Sequence, residues 1–202
     1  MFGIGGKAVK QWFAEDGQMF IEQLGVSPGH KILDFGCGVG SVTVPAASVV
    51  GPEGTVFALD VKQGQLDTIR RKISGSEEEA RVRLIKTPGG PEFPGVDDRA
   101  LDAVFVFDVL QHLQDWQGLF RECGRTLKES GRLHINASEL SHKGRVDVQH
   151  MQELLNEAGF RETGSIRTRL MHYKHMTEDI VRSYANGPAI LIMASSAQNL
   201  FV

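Results

Sequence analysis

Cysteine is scarce in this chain. Only Cys37 and Cys123 occur in 202 residues, and neither belongs to a C-x-x-C pair, which leaves no disulfide framework and points to two reduced thiols. No apolar run approaches the roughly 20 residues that a membrane span requires. Positive charge is not in excess either, since 22 lysines and arginines against 25 acids give a net charge of -3. No basic stripe is interleaved with aromatics in the way that follows a phosphate backbone, so nucleic acid is not the expected substrate. Residues 1–6 hold glycines but neither an apolar core segment nor a small-residue cleavage pattern, and the expected compartment is the cytoplasm. Repeats and low-complexity segments are also missing. What remains is globular usage, with 41% hydrophobic and 23% charged residues, and a length that fits one domain with a well-buried core.

Glycine, by contrast, is placed with regularity. Residues 32–40 read Ile-Leu-Asp-Phe-Gly-Cys-Gly-Val-Gly, a short apolar strand with an acid at Asp34, followed by Gly36, Gly38 and Gly40. Alternate glycines let backbone amides approach a ligand without Cβ interference, and the turn feeds a helix N-terminus. The loop is therefore expected to cradle a nucleotide-like cofactor. A dinucleotide fingerprint needs G-x-G-x-x-G. Here the pattern is G-x-G-x-G, with Ser41 where that third glycine would stand.

The rest of the chain alternates strand and helix signals. Ala8, Val9, Trp12, Phe13, Phe20, Ile21 and Leu24 recur at near-helical spacing and predict an N-terminal helical cover over residues 1–26, with Gly17 a point where it would break. A strand at 31–35, a buried helix at 41–50 with Pro45 in its first turn, and a strand at 55–59 ending on Asp60 make one β-α-β unit. Leu66, Ile69 and Ile73 predict a helix whose outer face carries Arg70, Arg71 and Lys72. A strand at 82–85 follows, and residues 87–95 hold loop chemistry. Residues 101–107 suit a central strand covered on both faces. Asp115 reads as a helix N-cap, and Trp116, Leu119, Phe120, Cys123 and Leu127 form one apolar stripe that Gly131 ends. A fifth strand is expected at 133–135. Val148, Met151, Leu154, Leu155 and Ala158 mark a further helix closed by Gly159. Residues 27–160 would then be the cofactor-binding core, and 161–202 an edge hairpin: a strand at 166–173, a short helix from Thr177 to about Tyr184, and a last strand at 189–194. The fold class expected is α/β, a doubly wound, seven-stranded, mostly parallel sheet with an antiparallel edge strand and helices on both faces.

Asp34 and Asp60 both fall at strand C-termini, the edge where open parallel sheets bind ligands. A carboxylate after the second strand can accept both hydroxyl protons of a ribose, which makes Asp60 the expected ribose anchor. Asp34 would hold the loop amides or reach an amine on the ligand, directly or through water. At this point the sequence resembles a known family. The glycine string, the run Gly-Pro-Glu-Gly-Thr-Val-Phe-Ala-Leu-Asp and the segment Leu-Asp-Ala-Val-Phe-Val-Phe-Asp-Val-Leu-Gln-His-Leu resemble class I S-adenosylmethionine-dependent methyltransferases. Phe-Arg-Glu-Cys-Gly-Arg-Thr-Leu-Lys-Glu-Ser-Gly-Arg-Leu-His-Ile and Leu-Leu-Asn-Glu-Ala-Gly-Phe continue the likeness in order. It spans roughly residues 20 to 160 and is closest to the small-molecule type that includes quinone-biosynthesis C-methyltransferases.

The resemblance implies a Rossmann-like fold and S-adenosyl-L-methionine as cofactor. It implies that Gly36, Gly38 and Gly40, in a loop that also holds Phe35 and Cys37, pack against the methionine and ribose portion. Asp60 would hold the ribose hydroxyls, Val61 would flank the adenine, and Phe107 with Asp108 would line the methionine end. Where such enzymes carry an acid after the third strand for the adenine amino group, this chain reads Thr87-Pro88-Gly89-Gly90. Backbone carbonyls or the Thr87 hydroxyl would serve instead.

Methyl transfer needs alignment of acceptor, methyl and sulfur, and a base only where the acceptor must lose a proton. Asp108 and His112, just after the fourth strand, are the catalytic candidates; packing or capping at a helix end is the plainer reading of His112. His172 and His175 have a spacing that a metal site could use, but on one edge strand their rings would face opposite ways, and no metal is expected. Cys37 has no basic neighbour in sequence and is not expected to be a nucleophile. Met171, Tyr173 and Met176 suggest a partly apolar acceptor pocket or ordinary packing. The expected partner is a small-molecule acceptor, with a homodimer as the one assembly considered and neither nucleic acid nor membrane involved. Two alternatives stand beside this reading. One is a cofactor-binding or scaffold protein that keeps the fold without the chemistry. The other is an NAD-dependent dehydrogenase, opposed by the missing third glycine and by the absence of a Tyr-x-x-x-Lys pair.

Overall fold

In the computed structural model, residues 16–136, 147–172 and 175–186 are described. Seven strands form one sheet: β1 (Lys31–Phe35), β2 (Thr55–Asp60), β3 (Val82–Lys86), β4 (Leu101–Phe107), β5 (Leu127–Asn136), β6 (Phe160–His172) and β7 (His175–Asn186). Their order is β3-β2-β1-β4-β5-β7-β6. The pairings among β1 to β5 are parallel, and β7 runs antiparallel to both β5 and β6. Order reverses between β1 and β4, so a crevice opens at the carboxyl ends of these two strands. Among the described residues no helix is long and apolar enough to cross a membrane.

Helices α1 (Gly17–Gln23), α2 (Thr43–Val50) and α3 (Gln63–Ile73) contribute to one core, and α4 (Trp116–Thr126) and α5 (Val148–Glu157) to the other. The strands supply both. Ile32, Ala103 and Phe105 pack in the first core, while Leu33, Val104 and Val106 pack in the second. Alternate side chains leave a strand on opposite faces, so a sheet buried on both sides needs the near-continuous apolar run that β4 shows. Asp115 caps α4 by accepting from the Gly118 amide at 2.7 Å.

Two expected elements differ. The stripe ending at Leu127 predicts one more helical turn, but α4 ends at Thr126 and Leu127 opens β5 opposite Leu101. Leu127 is buried in the second core on this backbone too, so its apolar character does not separate helix from strand. The larger correction is at 177–184, where a helix was expected and β7 runs instead. Val181 packs in the first core and Tyr184 in the second. Residues three apart on a strand face opposite sides, and a strand buried on both sides copies helical spacing. β7 lies between β5 and β6, which makes β6 the outer strand and shifts the hairpin onto 160–186. His172 and His175 are register partners on two strands, as are Met171 and Met176, not neighbours on one. The strand expected at 189–194, the segment before Asp16, and Tyr173 lie outside the described residues.

Two buried ionisable groups are set by this packing. The Asp34 carboxylate, at the end of β1, accepts from the Thr43 hydroxyl at 2.6 Å and so ties β1 to the start of α2. Burial pushes Asp34 up from 3.8 to about 7, helped by the neighbouring Asp60 charge and opposed by the Thr43 donors. His134 on β5 stacks on Phe105 of β4 and bonds Ser183 of β7 through Nδ1 at 2.9 Å. Burial, then the nearby Arg132 charge, lowers His134 from 6.5 to about 3.

Replacing Tyr184 by alanine should cost about 3–5 kcal/mol in a urea unfolding titration, because a fully buried ring leaves a cavity. A loss below about 1 kcal/mol would place Tyr184 on the surface and contradict the strand. The pH dependence carries a second test. Between 3.8 and about 7 the native state keeps a proton on Asp34 that the unfolded chain has released. Its stabilisation is thus complete below that window and lost as pH rises through it. His134 works with the opposite sign, its contribution being present above 6.5 and lost as pH falls toward about 3. Asp34→Asn isolates the first effect: the melting temperature of the variant relative to wild type should climb by several degrees from about pH 5 to about pH 8. A difference independent of pH would show that Asp34 is ionised throughout.

Candidate active site

The carboxyl ends of β1, β2 and β4 bring most of the expected residues to one place. After Phe35 the chain turns through Gly36, Gly38 and Gly40, with φ of 72°, 51° and 86°. The Gly36 and Cys37 amides both donate to the Leu59 carbonyl at 2.9 Å, which fastens the loop to β2. A Cβ on Gly36 would lie 2.6 Å from Val109 Cγ2, and one on Gly40 would lie 2.8 Å from Ile69 Cγ1. Those two glycines are required by packing. Gly38 differs, because a Cβ there would meet nothing nearer than the Gly36 carbonyl oxygen at 3.9 Å. Its side faces open space.

Asp60 closes this cradle from β2. Its Oδ2 accepts from the Gly38 amide at 2.9 Å and its Oδ1 from the Lys62 amide at 2.8 Å. The carboxylate is thereby fixed in orientation, and each oxygen, with about two acceptor sites, keeps one for a ligand hydroxyl. Val61 beside it is 50% exposed, which is unusual for so large an apolar side chain among the described residues. The Thr87 amide donates to the Asp60 carbonyl at 3.1 Å, so the loop after β3 starts against β2. A Cβ on Gly89 would come within 3.7 Å of Val61 Cγ1.

Other expected residues sit less directly. Phe35 turns its ring into the second core against Phe93, at 5.5 Å between centroids, so only its backbone faces the loop. Cys37 is buried, and burial together with the Asp34 and Asp60 charges pushes its thiol far up, which keeps it protonated and unreactive. Pro88 is exposed. Asp34 bonds Thr43 within the fold, and so serves the loop by anchoring its exit. Phe107 is half-buried and touches Phe105 at 5.5 Å and Phe20 of α1 at 6.0 Å. Asp108 follows with φ of 54°. It is bonded to Asn136 at the end of β5: Asp108 N–H donates to Asn136 Oδ1 at 2.8 Å, and Asn136 Nδ2 donates to Asp108 Oδ1 at 3.2 Å. His112 is exposed on the short 3-10 turn Leu110–His112. Among the described residues no cluster of three or more His, Cys, Asp or Glu could hold a metal ion.

Sequence reasoning missed three members of this site. Asn136 has a readable signal, a polar residue ending an apolar strand at the same edge as Asp34 and Asp60. Thr43 and Lys72 have none. Lys72 lies exposed on α3, as expected of its outer face, and its Nζ also reaches the glycine loop, donating to the Val39 carbonyl at 2.7 Å, with desolvation lowering it to about 8.

Comparison with known proteins places the family and the fold. A methyltransferase-domain family model matches residues 33–135, half of the chain. Methyltransferase GfsG of Streptomyces halstedii is 35% identical over 127 residues, covering 60% of this chain and 44% of that protein. A demethylmenaquinone methyltransferase of Lactobacillus johnsonii is 33% identical over 116 residues, covering 57% of this chain and 47% of that one. The match therefore spans less than half the length of either relative. In three dimensions, a SAM-dependent methyltransferase of Aquifex aeolicus superposes with a TM-score of 0.67 at 19% identity, covering 89% of this chain and 98% of that one. With the sheet order, the glycine cradle and the family match in agreement, the chain belongs to the class I S-adenosylmethionine-dependent methyltransferases.

Proposed function

We propose that this chain binds S-adenosylmethionine between the glycine loop and Asp60 and transfers its methyl group to a small-molecule acceptor. The observation that carries the proposal is the Asp60 carboxylate, oriented by two backbone amides beside a glycine whose Cβ position is open. These residues fit the cofactor's parts. Asp60 accepts from the two ribose hydroxyls with the lone pairs its amide donors leave. Gly38 admits the sugar and the amino-acid chain without side-chain obstruction, while Gly36 and Gly40 let the loop pack beneath Val109 and against Ile69. Val61 gives an apolar surface to one face of the adenine, and Thr87 with Pro88 flanks its edge. Phe107 and Asp108 line the methionine end.

When bound, the cofactor supplies a methyl group already activated on a sulfonium sulfur. The protein's task is then to orient the acceptor and exclude water. The half-buried Phe107 ring, backed by the buried rings of Phe20 and Phe105, offers it an apolar surface, and a relative named for demethylmenaquinone favours a small, partly apolar acceptor. Where that acceptor must lose a proton, Asp108 or His112 takes it.

Calorimetric titration with S-adenosylmethionine, S-adenosylhomocysteine and NAD tests the reading. The first two should bind and NAD should not; NAD binding alone would overturn it. Binding without turnover across a broad acceptor panel would favour a non-catalytic member of the fold. Asp60→Ala should weaken S-adenosylhomocysteine by about 1–3 kcal/mol through loss of charge-assisted hydrogen bonds. Unchanged affinity in that variant would refute the ribose assignment.

A further inference from the structure

We infer that Asn136 is a positioning residue, which fixes the turn after β4 and thereby shapes the end of the cradle that takes the amino-acid portion of the ligand. The inference rests on the cofactor reading above and adds a residue to it. Asp108 holds a left-handed backbone, with φ of 54°. Side chains other than glycine keep that conformation only where their surroundings over-determine it. Here they do. The Asp108 amide donates to Asn136 Oδ1 at 2.8 Å, its carboxylate accepts from Asn136 Nδ2 at 3.2 Å, and its carbonyl accepts from Gln111 Nε2 at 2.9 Å. Asn136 is 4% exposed and is the register partner of Phe107, which places it beside Asp108 from the neighbouring strand.

The turn has a direct effect on the cradle. Reversing direction at Asp108 lays Val109 over the glycine loop, so closely that a Cβ on Gly36 would stand 2.6 Å from Val109 Cγ2 and 3.0 Å from Val109 Cβ. The position of Val109 follows from the Asp108 conformation, and that conformation is held from β5 by Asn136. The carboxamide suits this task because it presents an acceptor to the amide and a donor to the carboxylate of one residue.

The test compares two ligands that share the nucleoside: S-adenosylhomocysteine, and methylthioadenosine, which lacks the amino-acid portion. In titrations of Asn136→Ala, S-adenosylhomocysteine should weaken by about tenfold or more while methylthioadenosine stays within about twofold of wild type. General disruption of the fold would weaken both alike, and equal losses, or none, would overturn the inference. Should Asn136→Ala fail to fold, Asp108→Gly and the double variant Asp108→Gly/Asn136→Ala carry the test, since glycine takes this φ unaided. In that background the second substitution should change S-adenosylhomocysteine affinity by less than about twofold, because a glycine keeps this φ without help from Asn136, whose remaining bond to the residue 108 amide is no longer needed to hold the turn. A larger further loss would mean that Asn136 acts in some other way. If wild type binds neither ligand, the cofactor reading itself falls, and this inference with it.

Discussion

The turn between β1 and α2 has to pass through a space that admits no Cβ at two of its three glycines. Val109 stands over Gly36 and Ile69 over Gly40, so the loop is gripped between the turn after β4 and helix α3. Its amides are already bonded, two to the Leu59 carbonyl and one to Asp60. A loop fastened this way loses little further entropy when a ligand arrives. The same constraint explains why the sheet order matters for function. Only where β4 lies next to β1, at the reversal of order, can the residue after β4 reach the loop after β1.

Electrostatics at this edge follow from two buried acids with different partners. Asp34 is buried behind the loop, takes its hydrogen bond from Thr43, and is pushed up to about 7. Asp60 faces the cradle, and the Gly38 and Lys62 amides donate to it. The main cause of the Asp34 shift is burial, and the nearby Asp60 charge adds to it. Lys72, whose ammonium meets the Val39 carbonyl, adds a donor on the far side of the same loop. Together these groups make the loop a rigid, polar-edged support.

Much of this was legible in the sequence, and the reason is that it is local. The strand at Lys31–Phe35, the three glycines, Asp60 at the next strand end and the Asp115 cap each lie within a short stretch whose spacing fixes geometry. What was not legible depends on distant contacts. Lys72 meets Val39, and Thr43 meets Asp34, through folding of elements whose sequences give no sign of the pairing. β7 failed for another reason. Val181 and Tyr184 each face a different buried core, and the resulting spacing is shared by an amphipathic helix. Only the antiparallel partners on both sides decide between the two.

The loop after β3 shows the same separation between what a pattern holds and what a fold brings together. At the strand end stand Thr87, Pro88, Gly89 and Gly90, with no acid among them. The loop is nevertheless not without a carboxylate. Gly90, at φ of 131°, lies so close under Glu92 that a Cβ there would be 2.5 Å from Glu92 Oε2. Gly89 meanwhile abuts Val61. Both glycines are called for by the backbone, with φ of 97° at Gly89 and 131° at Gly90, so the loop beside the exposed Val61 depends on two consecutive residues without a Cβ. What Gly90 supplies is backbone geometry: few other residues adopt its φ, whereas the Glu92 carboxylate is the far end of an exposed, flexible side chain that could swing aside for a Cβ.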